Sequence, residues 1–154
     1  MRRPNLFRLI VALSCGAFIA ACGEGSSSTT GISGGSTYPA TIDGTYSATT
    51  VTLTEAGGST DLIAEGAAIS LVLTPGGATT GTMTVPAAYS ESGEEEILSL
   101  AGTYTYDDAT GIATFAHAAD TFIRDTEWHA KGTLLTGTFD GGTYSITATL
   151  ESGP

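Results

Sequence analysis

The sequence predicts an all-β protein: an antiparallel, up-and-down, eight-stranded barrel, with a two-sheet β-sandwich as the rival arrangement. Three observations lead there. From Thr41 onward, apolar residues tend to recur at every second position, the period of strands with one buried and one wet face. Clusters of turn-forming residues interrupt these runs at short intervals. Helical periodicity is nearly absent, with at most a single turn over Ser59–Glu65 or Glu91–Glu96.

The first strand is placed at 43–53 and the second at 67–74, where Ile69, Leu71 and Leu73 alternate with Ser70 and Val72. Pro75-Gly76-Gly77 turns the chain into a third strand at 79–85. In the fourth, 97–107, Leu98, Leu100, Gly102, Tyr104 and Tyr106 alternate with Ser99, Ala101, Thr103 and Thr105. Asp107-Asp108-Ala109-Thr110-Gly111 leads into a fifth at 111–117, followed by a sixth at 121–131 and a seventh at 132–139. Asp140-Gly141 is a strong hairpin signal before the eighth, 142–150, which carries Tyr144, Ile146, Ala148 and Leu150 on one face. Most of the 27 threonines fall in these runs, where a β-branched polar side chain suits the solvated face. Closing such strands into a barrel removes their exposed edges. Gly-Thr-apolar occurs six times without a fixed period, so these glycines mark strand starts or bends rather than a solenoid repeat.

At 154 residues the chain is one domain's worth of sequence. Its formal charge of −11 and five Lys or Arg exclude a nucleic-acid partner, which requires a basic surface against phosphates. The N-terminal segment reads as an address. Arg2, Arg3 and Arg8 precede a 13-residue apolar stretch, Leu9–Ala21, long enough for a secretory signal and too short to span a bilayer. Residues 23–37 contain thirteen Gly, Ser or Thr among fifteen and read as a flexible linker with a mean reach of roughly 20 Å. Three units follow: a signal peptide at 1–21, Cys22 with its linker at 22–37, and a folded domain at 38–154. Without the signal, Arg124 and Lys131 face sixteen Asp or Glu, a side-chain charge of −14. Cys15 leaves with the signal, so no disulfide forms within the mature chain and the core alone must hold the domain.

The Ile19-Ala20-Ala21-Cys22 sequence resembles the lipobox of bacterial lipoproteins. That resemblance implies acyl (palmitate-type) chains on Cys22, cleavage before it, and a partner that is the membrane itself. Gly23 in place of Asp resembles the sorting pattern of outer-membrane lipoproteins, which implies the bacterial cell envelope as location. Two or three buried chains exceed what stable anchoring needs, at about 0.8 kcal/mol per buried methylene.

Gly44-Thr45-Tyr46 and the closing run Tyr144–Leu150 resemble the calycin group and the small lipocalin-like domains of bacterial lipoproteins, which open on Gly-x-aromatic and close the last strand on the first. Tyr46 stands where better-known members carry Trp, and no Arg follows the last strand. The resemblance implies a barrel that binds a small apolar or amphiphilic ligand. A non-catalytic protein-interaction or envelope-structural role is the alternative. The chain is short for a barrel with a deep cup.

Along 121–131, Phe122, Arg124, Thr126, Trp128 and Ala130 share one parity, and Ile123, Asp125, Glu127, His129 and Lys131 share the other, read as the wet face. Arg124 thus falls beside the only tryptophan. With Phe122, Trp128 and Tyr104 it makes a candidate site for an anionic head on a small amphiphile; in the plainer reading Arg124 lies at the rim, snorkels to water or pairs with an acid such as Asp120. No catalytic constellation is evident. His117 and His129 have no recognisable Ser or Asp partners and are read as surface residues, no Gly-x-Ser-x-Gly elbow occurs, and no acids show a metal-binding spacing. The expectation is therefore a non-enzyme without cofactor or metal. Glu94-Glu95-Glu96 reads as a solvated loop that guards Ile97-Leu98.

The lipobox reading makes a direct prediction. Cys22→Ser should leave an unprocessed precursor or a soluble product in fractionated cells. Processing and membrane retention identical to the parent chain would rule the anchor out.

Overall fold

A computed structural model of the chain describes residues 37–153. The signal segment 1–21, Cys22 and all of the linker but its last residue lie outside the described residues. Ten strands form one closed antiparallel sheet: β1 Gly44–Glu55, β2 Gly58–Asp61, β3 Ala68–Leu73, β4 Ala78–Val85, β5 Glu96–Ser99, β6 Gly102–Asp107, β7 Ile112–His117, β8 Trp128–Lys131, β9 Leu134–Asp140 and β10 Tyr144–Ser152. Pairing of β1 with β10 from Tyr46↔Ser152 to Glu55↔Tyr144 closes the barrel. Since β2 and β3 both pair with β1, and β5 and β6 both pair with β4, each couple acts as one broken strand. The result is an eight-stranded barrel and not a sandwich.

The inward face follows the alternation, with one device the sequence pattern conceals. Tyr46 is buried at an even position, whereas Val51 and Leu53 are buried at odd ones. The register against β10 skips one residue between Ala48 and Thr50, a bulge at Thr49 that restores the apolar side chains to the interior. A second break separates β5 from β6. There Leu100 swings fully into the core, its N–H donates to the Gly81 carbonyl at 3.0 Å, and the Thr79 hydroxyl donates to its carbonyl at 2.7 Å. Gly81 has φ +133°, and a Cβ there would stand 2.0 Å from the Ser70 carbonyl oxygen, so the close approach of β3 requires glycine.

The expected sixth strand is shortened. Only Trp128–Lys131 is strand, and residues 121–126 form turns instead. Ile123, expected on the wet face, is fully buried, and its carbonyl accepts the Trp128 indole N–H at 3.1 Å. The parity argument fails there because a turn has no period of two. Trp128 itself is fully buried. Its register neighbours are Ala113 on β7 and Gly137 on β9, with Ala148 next on β10, so three small residues leave room for one indole. A Cβ on Gly137 would lie 2.7 Å from Thr126 Cγ2 and 2.9 Å from Trp128 Cδ2.

One end of the barrel is shut. Ile42 is buried, Tyr106 donates its hydroxyl to the Pro39 carbonyl at 2.7 Å, and Tyr104 places its hydroxyl between the Asp43 carboxylate and the Thr74 carbonyl. Burial, then the bond and charge of Asp43, push the Tyr104 pKa up to about 12, so this contact stays protonated at physiological pH. On the outer face threonines pair across strands, Thr105 with Thr114 at 2.8 Å and Thr138 with Thr147 at 3.2 Å.

The packing around the indole can be tested by denaturant unfolding. Trp128→Ala should cost about 3–5 kcal/mol and Gly137→Ala about 1–3 kcal/mol through overpacking. Exposed Glu127→Ala should stay within roughly ±0.5 kcal/mol.

Candidate ligand-binding site

Opposite the closed end the barrel opens into a cavity of about 800 Å³. The space is roomier than the short chain suggested. Away from the opening, Tyr104, Phe115 and Trp128 fill the interior in a row, at centroid distances of 6.3 and 6.2 Å. The open half is walled by smaller side chains: Val51 and Leu53 on β1, Ile69 on β3, Met83 and Val85 on β4, and Ile146 on β10. Opposing aliphatic side chains of this size leave the middle unfilled.

Three connections bring aromatic side chains to the mouth. The β4–β5 loop brings Tyr89, the segment before β8 brings Phe122, and the β9–β10 hairpin brings Phe139 and Tyr144 together at 6.0 Å between ring centroids. Among the carboxylates, Glu55, Asp120, Asp125 and Asp140 line the same space. The β9–β10 turn is held by Asp140 Oδ1, which accepts from the Gly142 N–H at 2.8 Å.

The segment 118–127 positions Asp120, Phe122 and Asp125 at this rim. His117, at the end of β7, bonds through Nε2 to the Thr121 hydroxyl at 2.7 Å, and the Arg124 N–H donates to the Thr121 carbonyl at 3.2 Å. His117 is only 9% exposed, which corrects its reading as a surface residue. His129 is exposed on β8. Burial first, then the Arg124 charge, lower the His117 pKa, against a smaller opposite effect of Asp125.

The four residues singled out from sequence are placed as follows. Phe122 lines the cavity. Trp128 lies directly behind it at 6.3 Å between centroids, and Tyr104 continues the aromatic row to the closed end. Arg124 is not part of the cavity lining. Its guanidinium donates from Nε to Asp125 Oδ1 at 2.8 Å and from Nη2 to Asp125 Oδ2 at 3.0 Å, with a further ion pair to Asp120. These carboxylates, the Asp125 bond above all, raise its pKa. The plainer reading of a rim residue paired with acids matches this geometry.

No protein-family model, curated protein or solved structure matches the chain. The site is therefore interpreted from its own chemistry. The residues that sequence reasoning missed are Tyr89, Phe139 and Tyr144. Phe139 and Tyr144 flank the Asp140-Gly141 turn signal, and the hairpin there brings their rings to 6.0 Å.

The state of His117 sets a pH dependence. Its folded pKa lies below the unfolded value, near 6.5, so the unfolded chain binds more protons as pH falls past that value and stability declines. The stabilisation is fully present above the unfolded pKa and is lost toward the lower folded one. The melting temperature should therefore fall from about pH 7 to about pH 5, and His117→Gln should flatten that fall. An undiminished slope in the variant would assign it to other groups.

Proposed function

We propose that this chain is a lipid-anchored protein of the bacterial envelope, without catalytic activity, whose barrel takes a small apolar or amphiphilic ligand into its open end. The observation that carries the reading is the cavity: about 800 Å³, apolar along its walls, polar only at its mouth, and shut at the far end by tyrosine hydrogen bonds. Its volume falls within the roughly 300–1,000 Å³ of small-molecule sites, and such walls with a few polar groups at the opening are what an amphiphile needs. The lipobox at Ile19–Cys22 supports the anchor. Arg124 is already held by two carboxylates, so it supports an anionic head less well than its sequence position suggests. A protein-interaction role has one feature in its favour: Ile97 is 67% exposed on β5, which pairs only with β4 among the described residues.

The cavity reading is tested on the barrel itself, whose closed sheet and core are contained within residues 42–152. Trp128 is the only tryptophan and lies behind Phe122 in the cavity wall, so energy transfer from it reports occupancy. Titration of residues 38–154 with the neutral dye N-phenyl-1-naphthylamine should give saturable transfer. Ala67→Phe, which fills part of the space, should weaken binding by about tenfold, or ~1.4 kcal/mol. Absence of saturable binding to the parent barrel would remove the ligand reading and leave the exposed β5 edge as the better guide.

A further inference from the structure

The rim determines which head group the cavity accepts, an inference that rests on the ligand reading above. Glu55, Asp120, Asp125 and Asp140 line the mouth, together with the rings of Tyr89, Phe122, Phe139 and Tyr144. Register places part of this set side by side. Glu55 on β1 pairs with Tyr144 on β10, and Ser145 on β10 pairs with Asp140 on β9. Neighbouring strands lie about 4.8 Å apart, so both acids and the Phe139–Tyr144 ring pair share one short arc of the rim. The Tyr144 pKa is raised by burial and then by the charge of Asp120, which brings that acid into the same electrostatic neighbourhood.

Cations are scarce there. Arg124 is engaged by Asp120 and Asp125. Lys131, the only other Arg or Lys of the described residues, ends β8 at the closed end of the barrel. Among the described residues, neither Glu55 nor Asp140 forms an ion pair. A carboxylate or phosphate head entering this mouth would meet net negative charge at short range, which opposes it. An ammonium head would meet carboxylates and aromatic faces together, the combination that attracts organic cations through charge and the ring quadrupole.

We propose that the cavity binds a cationic amphiphile, with its apolar chain among Leu53, Ile69, Met83 and Ile146 and its ammonium head between Glu55, Asp140 and the Phe139–Tyr144 pair. The tail provides burial of apolar surface, and the head selects by charge. Screening by salt should act on the second contribution and leave the first.

Competition against bound N-phenyl-1-naphthylamine tests this on residues 38–154. The competitors are dodecylamine, dodecanol and dodecanoate below their aggregation thresholds. Near pH 7 the amine is charged, since such groups titrate near about 10.4. The expected order is amine, then alcohol, then carboxylate, with about tenfold or more between the first and last at low salt and a smaller gap at high salt. Glu55→Gln combined with Asp140→Asn should lower the amine-to-alcohol affinity ratio about three- to tenfold. Asn retains the oxygen that accepts the Gly142 N–H. Glu151→Gln, on β10 toward the closed end, should leave the ratio unchanged. Equal or tighter binding of dodecanoate, or a full ratio in the double variant, overturns the cationic head group while the cavity reading stands. Failure of the dye itself to bind overturns both.

Discussion

The indole of Trp128 needs room, and the barrel provides it on three neighbouring strands, β7 on one side and β9 and β10 on the other. Ala113, Gly137 and Ala148 share its layer of the interior, and the site is so close-fitting that one added methyl at Gly137 would collide with the ring. Its N–H requires an acceptor once buried, and the Ile123 carbonyl provides one. That bond ties the segment 118–127 to the barrel from inside. Phe122 consequently faces the cavity, and Asp120 and Asp125 stand at its rim. The division between a filled half and an open half, with aliphatic walls below an aromatic rim, follows from where this one side chain sits.

Much of the barrel was legible because a period of two survives wherever strands are regular. β3, β4, β7, β9 and β10 lie within a few residues of their expected positions, and the closure of β10 on β1 follows from strand count and short turns. What the pattern could not supply lies at its interruptions. The Thr49 bulge changes the parity of β1 midway, and no local residue type announces it. The segment 121–131 imitates a strand through Phe122, Arg124, Thr126 and Trp128, yet residues 121–126 turn, since the Trp128 N–H takes a carbonyl five positions back. A bond of that kind is fixed by tertiary packing and leaves no periodic trace.

The candidate site was less legible than the fold, for a related reason. A cavity is set by the space left between opposing walls, and sequence spacing records only one wall at a time. Phe122 and Trp128 were identified because they share a segment with conspicuous chemistry. Tyr89, Phe139 and Tyr144 come from separate connections and meet only when the barrel closes. Arg124 is the converse case, where the plainer of its two sequence readings matches the geometry. The only arginine of the folded domain suggested a counter-charge for a ligand, but Asp125 is adjacent and Asp120 four residues back. Local carboxylates reach a guanidinium before any distant ligand does, and a bidentate pair is geometrically favoured.

The two ends of the barrel differ in what they offer. Residues 38–43 pack at the closed end through Ile42 and the bonds to Pro39 and Asp43, so the chain enters the domain on the side away from the mouth. The 12 residues of β1 measure about 40 Å at 3.3 Å each, or about 30 Å along the axis at barrel tilt, which separates that entry from the carboxylates of the rim. A charged head group in water is fully hydrated before it reaches the mouth. Selection at such a mouth has to come from groups that compete with water for the head, and carboxylates set among aromatic rings are groups of that kind.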